Sequence, residues 1–332
     1  MGASPPARTH PRVAAQLPGP GDPPGGRRVT RAGSAPTPLL SQTRVLLQRH
    51  GLRPCRVCGQ NFLVDPQVRD RIVDAAGLAR DSAVLEIGPG TGILTEALLQ
   101  RGASVLAVEV DRGLAEALSA RLAGRSGLML AVGDALAFDF SMAFRNHPRR
   151  GRIRVVANIP YYITTPLILR LVRCRELFDA LFLTVQREVA ERLTAPPGGK
   201  AYGSLTLACQ YWATVRTVFP IPRTAFYPVP EVDSTLVRFD LLDVPRVSTP
   251  DPERLFGVIR AAFGTRRKTL RNALVRAGWA IRTVEVALEA AEIEGRRRGE
   301  TLTLAEFARV SEALLARDGS ADRGRDRDGD EP

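Results

Sequence analysis

The chain has 332 residues, 44% of them apolar, and carries 47 Lys and Arg against 35 Asp and Glu for a formal net charge of +12. That length and apolar content suit one large domain plus a smaller one, and no apolar run approaches the roughly 20 residues that cross a bilayer. The positive excess suits a polyanionic partner, nucleic acid or an anionic membrane surface, although Lys200 and Lys268 are the only lysines and the arginine bias reads as genome composition.

Residues 1–40 are rich in Pro, Gly, Ala and Arg, with Asp22 the only acid. Such a segment cannot bury a core and is expected to be a disordered arm. It lacks the apolar stretch of a secretory signal. An organellar transit peptide, a nonspecific basic tail and an early start codon remain open to it, and its prolines weigh against the amphipathic helix of a transit peptide. The folded chain is expected from Ser41. SQTRVLLQRHGL reads as a helix with Ser41 as N-cap and Gly51 as its left-handed stop. The loop CRVCGQNFLVD carries Cys55 and Cys58 in a CxxC. With Cys174 and Cys209 in core segments and His10, His50 and His147 in no ligand pattern, a structural zinc lacks its second ligand pair. Two reduced thiols and no metal are the expectation.

A helix over 66–76 follows, and then strands and helices alternate: strand 83–88, helix 95–102, strand 104–110, helix 112–122, strand 128–134, strand 153–158, helix 166–174, strand 180–186 and helix 187–195. Mostly apolar strands alternating with helices predict an α/β fold, a parallel sheet covered on both faces. After Gly203, SLTLACQYWA predicts one more helix. VRTVFPI and STLVRFDL, joined by PRTAFYPVPEVD, predict an antiparallel hairpin closing the sheet edge. The domains expected are 41–245 for the α/β part and 246–317 for a small all-helical part, with 318–332 a disordered charged tail.

The chemistry gathers at the strand ends. EIGPGTGILT follows the first strand and opens a helix, with Gly88, Gly90 and Gly92 spaced GxGxG. Glycines permit a tight turn and close approach of a ligand, and the helix N-terminus offers free N–H groups. A tight strand-to-helix turn is the alternative for the loop alone, and a pyrophosphate wants GxGxxG. Glu109 ends the next strand, where a carboxylate accepts from both ribose hydroxyls. Asp134 ends the third, where a carboxylate accepts from an adenine amino group. Three such features at consecutive strand ends point to an adenosine-containing cofactor, and the absence of a pyrophosphate loop favours S-adenosylmethionine over NAD.

The fourth strand ends in Asn158-Ile159-Pro160-Tyr161. This is either a proline-stiffened strand cap or the holder of a flat base. Asn158 and a backbone carbonyl can accept from an exocyclic amine, Pro160 fixes the turn, and Tyr161 can stack on the ring. Two acceptors stabilise the charge that develops on an adenine N6 as a methyl is transferred to it. Farther on, Arg266, Arg267, Lys268 and Arg271 form a basic cluster. It is either a phosphate-contacting patch or a solvated helix face, and Arg223 in the hairpin loop adds to the same surface.

GQNFLVD (59–65), EIGPGTGILT (86–95), Glu109, GDA (133–135) and NIPYYITTPL (158–167), extended by QREVAERL, KAYGSL, AFYPVPEVDSTLVRF and FGTRRKTLRN, resemble the KsgA/RsmA rRNA adenine N6-dimethyltransferases from about Thr43 to Leu315. The resemblance implies a Rossmann-like class I S-adenosylmethionine-dependent methyltransferase with a small helical C-terminal domain. It implies dimethylation of two adjacent adenines near the 3′ end of 16S rRNA, within a late assembly intermediate of the small subunit, by a cytoplasmic monomer. Residue by residue, it implies Asn61 and Leu63 over the cofactor, Gly88 and Gly90 in the loop, Glu109 on the ribose, Asp134 at the cofactor adenine and Asn158 beside the methyl. Tyr161 would stack on the target base, with Phe226 either packing the other face of that base or serving as a core residue of the hairpin. The sequence departs from the family pattern at Arg53–Cys58, where a lysine-rich stretch is usual, and in its long N-terminal arm. The rivals are the sister family that dimethylates a large-subunit adenine, the mitochondrial branch with its transcription-factor history, and a noncatalytic assembly factor. The KAYGSL segment, the proline of TTPL and the FGTRRKTLRN helix favour the small-subunit enzyme.

Overall fold

The computed structural model describes residues 38–55, 59–145, 153–265 and 267–323, all within one compact unit. Helix α1 (Pro38–Arg49) begins three residues before the expected Ser41 cap. The reason is local: proline is preorganised for the first helical turn, so Ser41 falls inside the helix. Strand β1 (Phe62–Leu63) leads to α2 (Pro66–Ala76), whose N-cap Asp65 accepts from the N–H groups of Gln67 and Val68. The alternating pattern then unfolds as β2 (Ala83–Ile87), α3 (Ile93–Gln100), β3 (Ser104–Glu109), α4 (Arg112–Arg121), β4 (Leu128–Val132), an unanticipated α5 (Phe140–Arg145), β5 (Ile153–Asn158), α6 (Thr164–Arg173), β6 (Phe178–Gln186), α7 (Arg187–Thr194) and α8 (Ser204–Trp212). Strand β7 (Ala213–Ile221), the short β8 (Phe226–Tyr227) and β9 (Ser234–Leu241) complete the sheets.

The main sheet has the order β4-β3-β2-β5-β6-β9-β7. Its first five strands are parallel, and β9 and β7 are antiparallel to their neighbours. The hairpin is therefore threaded in reverse of its sequence order: the later strand β9 lies inside and β7 forms the edge. The chain runs outward from β2 through β3 to β4 and then returns to place β5 beside β2. That reversal opens a crevice at the carboxyl ends of β2 and β5, where open α/β sheets bind ligands.

Strand alternation decides which residues face which core. Leu85, Ile87, Val155, Leu181 and Leu183 pack on Leu167, Ile168 and Leu171 of α6 and Leu193 of α7. Val84, Val105, Val156 and Phe182 pack on Ile72 and Val73 of α2 and Leu94 and Leu98 of α3. A two-stranded antiparallel sheet pairs Phe62 with Tyr227 and Leu63 with Phe226, tying the GQNFL loop to the hairpin connection.

Beyond the sheet lie α9 (Pro252–Gly264), α10 (Leu270–Arg276), α11 (Ile281–Ala290) and α12 (Leu304–Arg323). Their core of Leu255, Ile259, Leu274, Leu288 and Phe307 also takes in Tyr202, Leu207 and Tyr211, and the Tyr202 hydroxyl donates to the Leu302 carbonyl at 2.9 Å. Helix α12 runs to Arg323, past the expected end at 317. The expected arm up to residue 37 and the tail from residue 324 lie outside the described residues. Cys174 and Cys209 are free, whereas Cys55 is disulfide-bonded, which corrects the expectation of reduced thiols there; Cys58 lies outside the described residues.

Candidate active site

A cavity of about 310 Å³ opens at the β2/β5 crevice, lined by the GQNFL loop, the glycine loop, the β3 end and the NIPY turn. Ile87 pairs with Ala157, so Gly88 and Asn158 follow side by side at the same sheet edge. The glycine loop is shaped by steric exclusion. Gly90 has φ +55° and a Cβ there would come within 2.9 Å of the Phe62 ring; Gly92 has φ +78° and its Cβ would meet Leu118 Cδ1 at 2.2 Å. Only glycine lets the loop pass between Phe62 and α4, and its glycine N–H groups are held inside the protein, Gly88 by the Val108 carbonyl, Gly90 by Glu109 and Gly92 by the Pro89 carbonyl.

Glu109 sits at the end of β3, 4% exposed. Its Oε2 accepts from Gly90 N–H and its Oε1 from Asp111 N–H, both at 3.0 Å. Burial pushes its carboxyl above the ordinary range, and the backbone N–H groups of Asp111, Gly90 and Val110 oppose that shift. Asp111 in turn caps α4 by accepting from Leu114 N–H at 3.0 Å.

On the β5 side, Asn158 Nδ2 donates to the Asn61 carbonyl at 2.9 Å. Only the amide nitrogen can donate to a carbonyl, and Oδ1 accepts no hydrogen bond among the described residues. Asn61 Nδ2 donates to the Gly59 carbonyl at 3.0 Å within its own loop, and the Asn158–Asn61 bond joins the two loops into one wall. The Pro160 carbonyl is taken by Ile163 N–H and the Thr164 hydroxyl; the Ile159 carbonyl accepts no hydrogen bond among the described residues. Half-buried Tyr161 starts a 3₁₀ turn, Tyr161–Ile163, and its hydroxyl lies 3.0 Å from Ser234 Oγ. Burial raises its phenol above the usual value and the bond to Ser234 lowers it.

The structure thus brings Asn61, Leu63, Gly88, Gly90, Glu109, Asn158, Pro160 and Tyr161 to one cavity. Asp134 does not line it: the residue is exposed beyond β4, and its Oδ1 accepts from Leu136 N–H at 2.8 Å. Phe226 is 2% exposed in the core opposite Leu63, so it is the hairpin-core role that this conformation gives it. Arg223 is exposed, its backbone N–H held by Asp233 Oδ1 at 2.9 Å. Arg267 and Lys268 are exposed, Arg271 is paired with Glu285 at 2.5 Å, and Arg266 lies outside the described residues. Among the described residues no cluster of three His, Cys, Asp or Glu is placed to hold a metal, and no helix is long and apolar enough to cross a membrane.

One wall residue was missed in sequence. Glu86 is 1% exposed in β2, lines the cavity, and its Oε2 has no hydrogen-bond partner among the described residues. Burial pushes its carboxyl up to about 8, with the nearby Glu109 adding to the rise. A buried carboxyl group with an orphaned oxygen, a second carboxyl at the end of β3 and a sterically cleared glycine loop suit a ligand that carries hydrogen-bonding groups, such as an amino acid end and a ribose.

Residues 56–313 match the family described as Ribosomal RNA adenine dimethylase. A protein of Pelotomaculum thermopropionicum named Ribosomal RNA small subunit methyltransferase A is 44% identical over 287 residues, covering 82% of this chain and 95% of its own. A protein of the same name from Moorella thermoacetica is 44% identical over 278 residues, covering 82% and 96%. Among solved structures, the fold is similar to a dimethyladenosine transferase from Plasmodium falciparum, with a TM-score of 0.63, 26% identity and 78% and 98% of the two chains covered. It is similar also to the 23S rRNA methyltransferase ErmE, with a TM-score of 0.60, 27% identity and 77% and 100% covered.

Proposed function

The chain belongs to the ribosomal RNA adenine dimethylase family, and from that premise we propose how its own residues carry the reaction. It has the Rossmann-like class I fold and is an S-adenosylmethionine-dependent adenine N6-dimethyltransferase of small-subunit rRNA. The observation that carries the site assignment is the shared cavity: the NIPY turn and the Glu109–glycine-loop pair open onto the same space. S-adenosylmethionine supplies an electrophilic methyl group.

Glu109 holds the ribose and, through Gly90, the loop that faces it. Glu86 faces the amino acid end of the cofactor. Asn61 and Leu63 cover it, and exposed Asp134 reaches the adenine from outside the enclosed part of the cavity. The free Asn158 Oδ1 and the Ile159 carbonyl accept from the N6 amine of the target adenine. Two acceptors draw that nitrogen toward a tetrahedral, more nucleophilic geometry and stabilise the positive charge it gains. Tyr161 stacks on the base, and holding both reactants in one cavity supplies the remaining acceleration. Arg223, Arg267, Lys268 and Arg271, with Arg266, position the RNA through its phosphates. Arg267 and Lys268 lie in the turn between α9 and α10, and Arg271 in α10. The substrate is the small subunit at a late stage of assembly, met in the cytoplasm by a monomer.

Incubation with labelled S-adenosylmethionine and small or large subunits lacking adenine dimethylation tests this. Label should map to dimethyladenosine in the 3′ region of the small-subunit RNA; label confined to large-subunit RNA would move the target to that of ErmE-type enzymes. Asn158→Ala should abolish transfer while cofactor binding stays measurable by calorimetry, and full activity in that variant would sink the mechanism.

A further inference from the structure

Helix α1 packs on neither face of the main sheet. Its buried stripe is Leu39, Thr43 and Leu47, one residue per turn. Leu39 packs with Val64 and Ile93, and Leu47 with Phe62 and Leu114, in two small clusters separate from the sheet cores. Phe62, Ile93 and Leu114 are walls of the cofactor cavity, and neither leucine is. Phe62 is also the ring against which Gly90 is cleared. At the rim, the Arg44 guanidinium lies 5.0 Å from the Tyr227 ring centre. Arg121 reaches Gln42 Oε1 at 3.5 Å while donating to the Thr91 carbonyl of the glycine loop. The helix therefore braces β1, α3 and α4, three elements that each supply cavity wall.

One member of the stripe weakens this contact. Thr43 is fully buried, and its hydroxyl has no hydrogen-bond partner among the described residues. An unpaired buried hydroxyl opposes docking. A helix of 12 residues has little stability of its own in water, so α1 is ordered by what it packs on.

We propose that α1 is a detachable buttress behind the wall of the S-adenosylmethionine site: Leu39 and Leu47 are positioning residues that hold Phe62, Ile93 and Leu114 in their binding arrangement, and Thr43 sets how readily the helix lifts. This rests on the cavity being the cofactor site. Docking and cofactor binding are then coupled in both directions, because the apparent affinity scales with the fraction of molecules in which the buttress is in place.

The test combines hydrogen exchange on the full chain, with and without S-adenosylhomocysteine, and calorimetric titration of the same ligand. Ligand should slow exchange of the α1 amides. Leu47→Ala should weaken binding about tenfold, a docked fraction of roughly one in ten, with the loss appearing in the KM for S-adenosylmethionine rather than in kcat. Thr43→Val should slow α1 exchange without ligand. Exchange in α1 indifferent to ligand, or a folded Leu47→Ala chain with unchanged affinity, overturns the proposal. If Leu47→Ala does not fold, the wild-type and Thr43→Val exchange rates decide. Glu109→Ala separates the two levels: weakened binding there beside unchanged binding in Leu47→Ala removes only the buttress, whereas unchanged binding in Glu109→Ala removes the cavity assignment itself.

Discussion

Glu86 keeps its proton in the folded chain at neutral pH because burial lifts its carboxyl to about 8, while the unfolded chain ionises near 4.5. The folded state holds the extra proton between those values, so the stability this group contributes is full below 4.5 and is lost as pH rises toward 8. Glu86→Gln removes the dependence. Its melting temperature should gain on that of the wild type as pH is raised from about 5 to about 8, and parallel melting curves across that range would refute a protonated Glu86. Ser234 is the second residue to act through burial: fully buried at the start of β9, it holds the Tyr161 hydroxyl. Ser234→Ala should cost about 1 kcal/mol of hydrogen bonding and raise the KM for RNA severalfold. Tyr161→Phe should match it and the double variant add nothing; additive losses would separate the two groups. Neither residue was legible in sequence as part of the site. Glu86 stood in an apolar strand where no spacing marks an orphaned oxygen, and Ser234 meets Tyr161 from 73 positions away. Glu109 and Asn158 were legible because each closes a strand.

At the scale of elements, α12 shows how local sequence and long-range pairing combine. Thr303 and Glu306 form a reciprocal capping box: Glu306 N–H donates to Thr303 Oγ1 at 3.2 Å and Thr303 N–H to Glu306 Oε2 at 2.7 Å. Arg297 adds two contacts to the same carboxylate, at 2.5 and 3.2 Å, and holds it down to about 2. For a depressed carboxyl the stabilisation is present above 4.5 and is lost as pH falls toward 2. Glu306→Gln keeps an acceptor for the capping box but loses the charge that faces Arg297, so it should lose up to about 1 kcal/mol of stability at neutral pH and converge with the wild type in acid, which thermal melts at pH 7 and pH 2 would check; a loss independent of pH would refute the role of the charge. The alternation of apolar strands with helices was legible for every parallel strand, because β2, β3, β5 and β6 are buried on both faces and the edge strand β4, though partly exposed, keeps an apolar run. The two-residue strands β1 and β8 were not, since two residues carry no period. They also explain Phe226: its partner Leu63 draws it inward. The insertion of β9 beside β6 was invisible because a hairpin pattern fixes the pairing of its own two strands and not which of them meets the sheet.

For the molecule as a whole, the net charge of +12 acts through long-range attraction to RNA rather than through stability. Replacing exposed Arg267 and Lys268 by glutamine should lower the slope of log affinity against log salt by about 1–2, near one per phosphate contact. A filter-binding series across salt concentrations with an unchanged slope would return the cluster to a solvated helix face. The reversed hairpin has a further consequence, for synthesis. As the chain emerges from its N-terminus, the five parallel strands are complete by Gln186, yet the strand that covers the open edge of β6 begins only at Ser234. Until then β6 exposes unpaired backbone groups, a surface that invites wrong partners. The same late strand delivers the Tyr161 tether, so the nascent chain fixes the Tyr161 ring in the step that seals its sheet. A fragment released before that point would expose a sticky edge and leave Tyr161 untethered.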